Sequence, residues 1–162
     1  MRIAIFLLFC VFITSACSWT NKQRRAFKEE CAQKEKFNDV VFLFMGFDNS
    51  EFDTIWVKEY SDTSLLDTFS VFVSPSQSHY GKERKVRSAS IERPMNVNYT
   101  YHFMLPGQEP YELSNMKMVM WSQFSMMSEG WGCVMGEYTI DGEKFEQSAN
   151  PTFIKRETQG EE

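Results

Sequence analysis

The side chains best equipped for chemistry in this chain are thioethers, thiols and aromatic rings, and few stand in a pattern that catalysis needs. Met116, Met118 and Met120 recur at every second position, which puts three thioethers on one face of an extended strand. Soft sulfur ligands select Cu(I), so the stripe is a candidate copper site. The same spacing describes an inward strand face filled with adaptable core side chains, and no histidine lies in the segment. A second group is Trp121, Phe124 and Trp131 in WSQFSMMSEGW, which reads as a loop or irregular segment. Loops are ordinarily polar, so these rings either mark a binding surface or fold back over one end of the domain. A third is the basic stretch Lys82, Arg84, Lys85, Arg87 and Arg93, which suits anionic lipid headgroups or an acidic partner, or else is a solvated loop.

Acid–base and nucleophilic catalysis need a base within hydrogen-bond reach of its target. The histidines are His79, in a polar loop beside Tyr80 and Gly81, and His102, in an alternating strand. Neither has the neighbours of a catalytic or metal-binding group. No nucleophile elbow, phosphate loop, zinc-protease helix or dinucleotide fingerprint occurs. The expectation is a protein that is not an enzyme and carries no cofactor. Of four cysteines, Cys10 lies in an apolar leader and Cys17 at its end, leaving Cys31 and Cys133. These two either form a disulfide or are buried separately as thiols.

The elements that would position these groups follow from periodicity. Residues 20–36 (TNKQRRAFKEECAQKEK) read as a helix capped by Thr20, with Gln23 three residues on and a narrow Phe27/Cys31 stripe; a flexible tether is the alternative. From Asn38 the pattern becomes short alternating apolar runs. Strands are expected at 39–47, 54–60, 69–73, 97–105, 111–121, 133–140 and 144–145, with Ile91 a weak edge candidate. Asp141-Gly142 is the strongest hairpin signal. Several short strands without helical crossovers predict an all-β fold, an antiparallel β-sandwich of Ig-like or related type over 38–154. A small barrel is the alternative. The polar tail 155–162 is expected to be disordered.

The first 16 residues are a targeting segment: Arg2, then the apolar run Ile3 to Ile13, then Thr14-Ser15-Ala16-Cys17. The run is too short to span a bilayer, which takes about 20 apolar residues. The segment resembles a bacterial lipoprotein signal, although Thr14 stands where such signals more often carry Leu, Val or Ile. The resemblance implies diacylglyceryl attachment and fatty acyl chains such as palmitate on Cys17. The alternative is ordinary cleavage after Ala16. Residues 17–37 would then be a lipid-anchored linker helix. Loss of the leader removes Arg2 and no acid, taking the formal charge from −5 to −6, which argues against nucleic acid as a partner.

The run FMGFDNSEFDTIWVKEY, with LLDT after it and the IDGEKF hairpin, resembles small lipoproteins of Bacteroidetes-type bacteria. That resemblance implies a β domain and an address in the cell envelope. With membrane attachment through Cys17 and no catalytic pattern, a non-catalytic binding or structural module engaging an envelope protein is expected; the alternative is a small-ligand or copper-binding lipoprotein using the Met-rich strand. The resemblance also implies that Asp53-Thr54-Ile55 matches a short O-glycan attachment pattern. Ser18 to Lys22 contains no acid, which in such bacteria points to an outer-membrane lipoprotein facing the periplasm, with surface exposure left open.

Overall fold

The computed structural model describes residues 21–38, 40–75, 79–124, 129–146 and 150–156; the leader, Cys17, Thr20 and 157–162 lie outside them. In chain order the elements are α1 (21–32), β1 (Lys36–Phe37), β2 (Val40–Met45), β3 (Thr54–Ser61), β4 (Ser64–Phe72) and β5 (Ser74–Pro75). Then come α2 (His79–Glu83), β6 (Val86–Ile91), β7 (Met95–Asn96), β8 (Thr100–Met104), β9 (Tyr111–Phe124), β10 (Glu129–Ile140), β11 (Glu143–Glu146) and β12 (Thr152–Ile154). Two sheets form a sandwich. One is antiparallel throughout, in spatial order β11-β10-β9-β8-β3-β4. The other runs β12-β2-β6-β5, and β1 pairs with β7 in a separate small ribbon.

Alternation decides which side chains enter the space between the sheets. In β3, Ile55, Val57 and Glu59 turn inward while Thr54 and Trp56 face out. In β8, Tyr101 and Phe103 turn inward; in β2, Phe42 and Phe44 do so. The centre is aromatic: Phe103 and Phe153 lie 4.5 Å apart between ring centroids, Phe44 and Phe153 5.3 Å, and Phe42 and Phe103 5.0 Å. Each ring so enclosed contributes about 1.5–3 kcal/mol through its apolar surface. The β10–β11 hairpin closes through Asp141 and Gly142, both at positive φ (50° and 84°), as a two-residue primed turn demands.

Four expectations need correction. Ile91 is the buried end of a six-residue strand and not a weak isolated candidate: it closes β6, which is paired with β2 along its length and with β5 at Arg87 and Ser88. β4 begins at Ser64, well before Phe69. Trp121 to Trp131 is no loop, because β9 and β10 run through most of it as a long ribbon. Register shifts at Met135/Glu137 and Glu137/Thr139 interrupt that ribbon, and Gly136 packs so closely on Val119 that a Cβ there would stand 2.1 Å from Cγ2. Finally, the chain beyond 154 stays ordered through Arg156, whose guanidinium lies 3.8 Å over the Tyr111 ring and donates to Glu109 O at 2.8 Å. Just before it, β12 joins β2 in the sandwich's one described parallel pair.

Candidate functional site

The outer face of the six-stranded sheet carries the largest exposed rings. β3 and β4 are in register with Trp56 opposite Ser70 and Thr54 opposite Phe72. Trp56 and Phe72 are therefore diagonal neighbours on one face, a separation that large rings can bridge. On the other side of β3, Trp56 stands opposite Met104. Trp56 is 55% exposed and Phe72 66%, whereas Ile55 and Val57 beside Trp56 in sequence are enclosed. Further along the same face the lining becomes polar: Lys58 is opposite His102, and His102 stacks on Tyr60 at 4.7 Å and sits 3.7 Å from Glu112. Leu65 and Leu66 are exposed at the start of β4, the edge strand. An aromatic platform with a polar flank, beside an edge unpaired among the described residues, is suited to holding another chain.

Among the residues singled out from sequence, the structure joins Cys31 and Cys133 in a disulfide, with Cα atoms 5.4 Å apart. This fastens α1 to β10. One turn earlier in the helix, Phe27 lies 5.9 Å from Trp131. Met116 and Met118 are buried in the core and Met120 is half-buried; Met118 is opposite Met135 and Met120 opposite Cys133. The thioethers thus occupy the inward face of the ribbon. Trp121 and Trp131 do not share a surface. Trp131 is opposite Ser122, so the pleat sends it to the face opposite Trp121. Trp131 meets α1, Trp121 remains half exposed on the other side, and the side chain of Phe124 lies outside the described positions.

The basic stretch is not a patch. Arg87 is fully buried, donating to Asp53 Oδ1 at 3.2 Å and Val73 O at 3.1 Å beneath the Phe52 ring. Arg93 donates to Asp67 at 2.6 Å and lies over Phe69; Lys85 pairs with Asp48 at 2.8 Å. These three cations are engaged by acids of the sandwich, while Lys82 and Arg84 are exposed in and just after α2. In the glycan-like triplet, Thr54 is exposed, Asp53 is engaged by Arg87 and Ile55 is buried. His79 opens α2. Among the described residues no group of three or more His, Cys, Asp or Glu could hold a metal ion, and no helix is long and apolar enough to cross a membrane.

These pairs set the pH response. The hydrogen bond from Lys85 holds the Asp48 carboxyl below its ordinary range, that from Arg93 does so for Asp67, and that from Lys117 for Glu137. Carboxyls lowered in the folded chain stabilise it above their ordinary pKa near 4, and the contribution is lost as pH falls through the lowered values. At the other end, burial pushes the Tyr101 phenol well above its ordinary value. That contribution is present below about pH 10 and lost as pH rises further. The urea midpoint is therefore expected to be flat from about pH 5 to 9 and to fall on both sides. A midpoint unchanged at pH 3 would show that the acid pairs do not act.

The sequence missed Trp56 and Phe72. Its available signal was parity, since Trp56 alternates with Ile55 and Val57 and shares its face with Lys58. It also missed a cleft of about 690 Å³ between α1 and β9, lined by Asn21, Arg24, Arg25 and Lys28 against Met118 to Met120. No protein-family model, curated protein or solved structure matches this chain.

Proposed function

We propose that this protein is a lipoprotein of the bacterial cell envelope, held on the membrane by lipid on Cys17, whose β-sandwich is a non-catalytic module engaging another protein. The observation that carries the reading is the exposed Trp56–Phe72 pair beside the free edge of β4. Large rings cost free energy when left in water, and aromatic anchors dominate protein interfaces. The leader's apolar run, the small residues before Cys17 and the helix that begins shortly after it support the address, with the outer membrane's periplasmic side the favoured location.

Two measurements test the two halves. Intact mass and detergent partition of the product from its own host should show acyl chains and the detergent phase; an unacylated, aqueous protein removes the anchor. Separately, a photo-cross-linker at position 70, exposed and directly opposite Trp56, should give a discrete protein adduct in intact cells. Trp56→Ser and Phe72→Ser should abolish that adduct while changing stability by only about 0.5 kcal/mol, since both side chains are largely exposed. An adduct that survives both substitutions excludes this face as the interface.

A further inference from the structure

The basic surface of this acidic protein lies on α1. Residues 21–36 contain Lys22, Arg24, Arg25, Lys28, Lys34 and Lys36 against Glu29, Glu30 and Glu35, in a chain of formal charge −5. Several cations elsewhere are neutralised at short range: Lys85 by Asp48, Arg87 by Asp53, Arg93 by Asp67, Lys117 by Glu137 and Lys155 by Glu51. Lys22, Arg24, Arg25 and Lys28 have no ion-pair partner among the described residues. Three of them line the cleft between α1 and β9, whose floor is Met118 and Met120. Beyond Leu113 the strand there has no neighbour on its β8 side among the described residues. Unpaired cations above an apolar floor match an amphiphile with an anionic headgroup.

Position argues for the bilayer itself as that amphiphile. Cys17 lies four residues before Asn21, the first described residue of the helix, a span of at most about 14 Å. A lipid on Cys17 therefore holds the helix close to headgroups, within reach of a surface field that decays over roughly 10 Å. The disulfide ties the same helix to the sandwich, so a force on α1 orients the whole domain.

We infer that the α1 face bearing Arg24, Arg25 and Lys28 docks on anionic phospholipid headgroups of the membrane that holds Cys17, orienting the sandwich with the Trp56–Phe72 face left free. The inference rests on the lipid-anchor reading. β3 and β4 lie beyond β8 in the sheet, on the side of β9 away from β10, so docking through α1 does not consume them. Each base facing an anionic surface favours contact by roughly fivefold, and three by on the order of a hundredfold.

The experiment places the acylated protein from its own host in phosphatidylcholine vesicles, with and without phosphatidylglycerol, and labels lysines with an amine-reactive ester. Lys22 and Lys28 should be labelled several-fold less when phosphatidylglycerol is present, with high salt restoring them and Lys117 and Lys144 unchanged. Arg24→Gln with Arg25→Gln should remove the difference. Equal labelling in both vesicles overturns the docking. So does equal protection by soluble glycerol phosphate, which would reassign the cleft to a free anion. If mass shows no acyl chain, the anchor falls on its own. Sedimentation of the unacylated chain with phosphatidylglycerol vesicles at low salt then decides the docking. Co-sedimentation lost in Arg24→Gln/Arg25→Gln/Lys28→Gln upholds it, and its absence in the unsubstituted chain overturns it.

Discussion

Replacing Phe153 by Ala should lower the free energy of unfolding by about 3–5 kcal/mol, read as a shift of the urea midpoint at constant slope. Phe153 lies on β12 and is fully buried. Its ring is 4.5 Å from Phe103 and 5.5 Å from Tyr111 in one sheet, and 5.3 Å from Phe44 and 6.2 Å from Phe42 in the other. It is thus a ring on which both sheets rest, and truncation removes the transfer energy and leaves a cavity that surrounding aromatics cannot collapse into. Phe153→Leu, which keeps most of the volume, should cost appreciably less. A loss below about 1 kcal/mol for the alanine variant would mean that β12 is not part of the stable core. The position is informative because it follows so late in the chain. The closing ring of the sandwich is supplied by a three-residue strand that reaches β2 only through a parallel pairing.

That strand also illustrates where the amino-acid sequence stops being readable. TIWVKEY alternates cleanly, and Asp141-Gly142 meets the positive-φ demand of its turn, so β3 and the β10–β11 hairpin were legible. TFI is three residues among polar neighbours and carries no period of its own; only tertiary pairing makes it a strand. β6 was hidden for a different reason. VRSASI turns Arg87, Ala89 and Ile91 inward, and a buried arginine followed by serines at 88 and 90 breaks the apolar alternation on which strand recognition depends. Its cost is partly offset by Asp53, the Val73 carbonyl and the Phe52 ring, with Nε left without a hydrogen-bond partner, and these are partners that sequence spacing cannot foresee. The aromatic residues of WSQFSMMSEGW looked like a loop because serine and glycine interrupt them. In a ribbon with helix α1 on one side, Trp131 is covered and Trp121 is not. The candidate interface was less legible still. Alternation says that Trp56 and Ile55 face opposite ways but not which way is inward, and the large ring proves to be the exposed one.

Removing the Cys31–Cys133 bridge with paired serine substitutions should have two separable effects. The first is global. The bridge closes a sequence separation of 102 residues, a loop that contains every strand from β1 to β9. In the chain-entropy description a crosslink of that span restricts the unfolded ensemble strongly, and loss of a native bridge typically costs about 2–5 kcal/mol. The second effect is local. Apart from Cys31, the stripe that α1 turns to the ribbon offers Phe27, half-buried against Trp131. A helix as short as its described span, 21–32, is marginal in water without tertiary support. In the bridgeless chain, amide exchange across 21–32 should therefore become fast under conditions where β3, β8 and β9 stay protected. The two effects test different claims. A lowered urea midpoint with α1 still protected would mean that packing rather than the disulfide holds the helix. Fast exchange in α1 with an unchanged midpoint would mean that the bridge acts on the helix alone. If both occur, the same bond that stabilises the sandwich also couples it to the chain leading to Cys17. Severing it should then leave the domain folded at low temperature but free to reorient about the segment that joins it to Cys17.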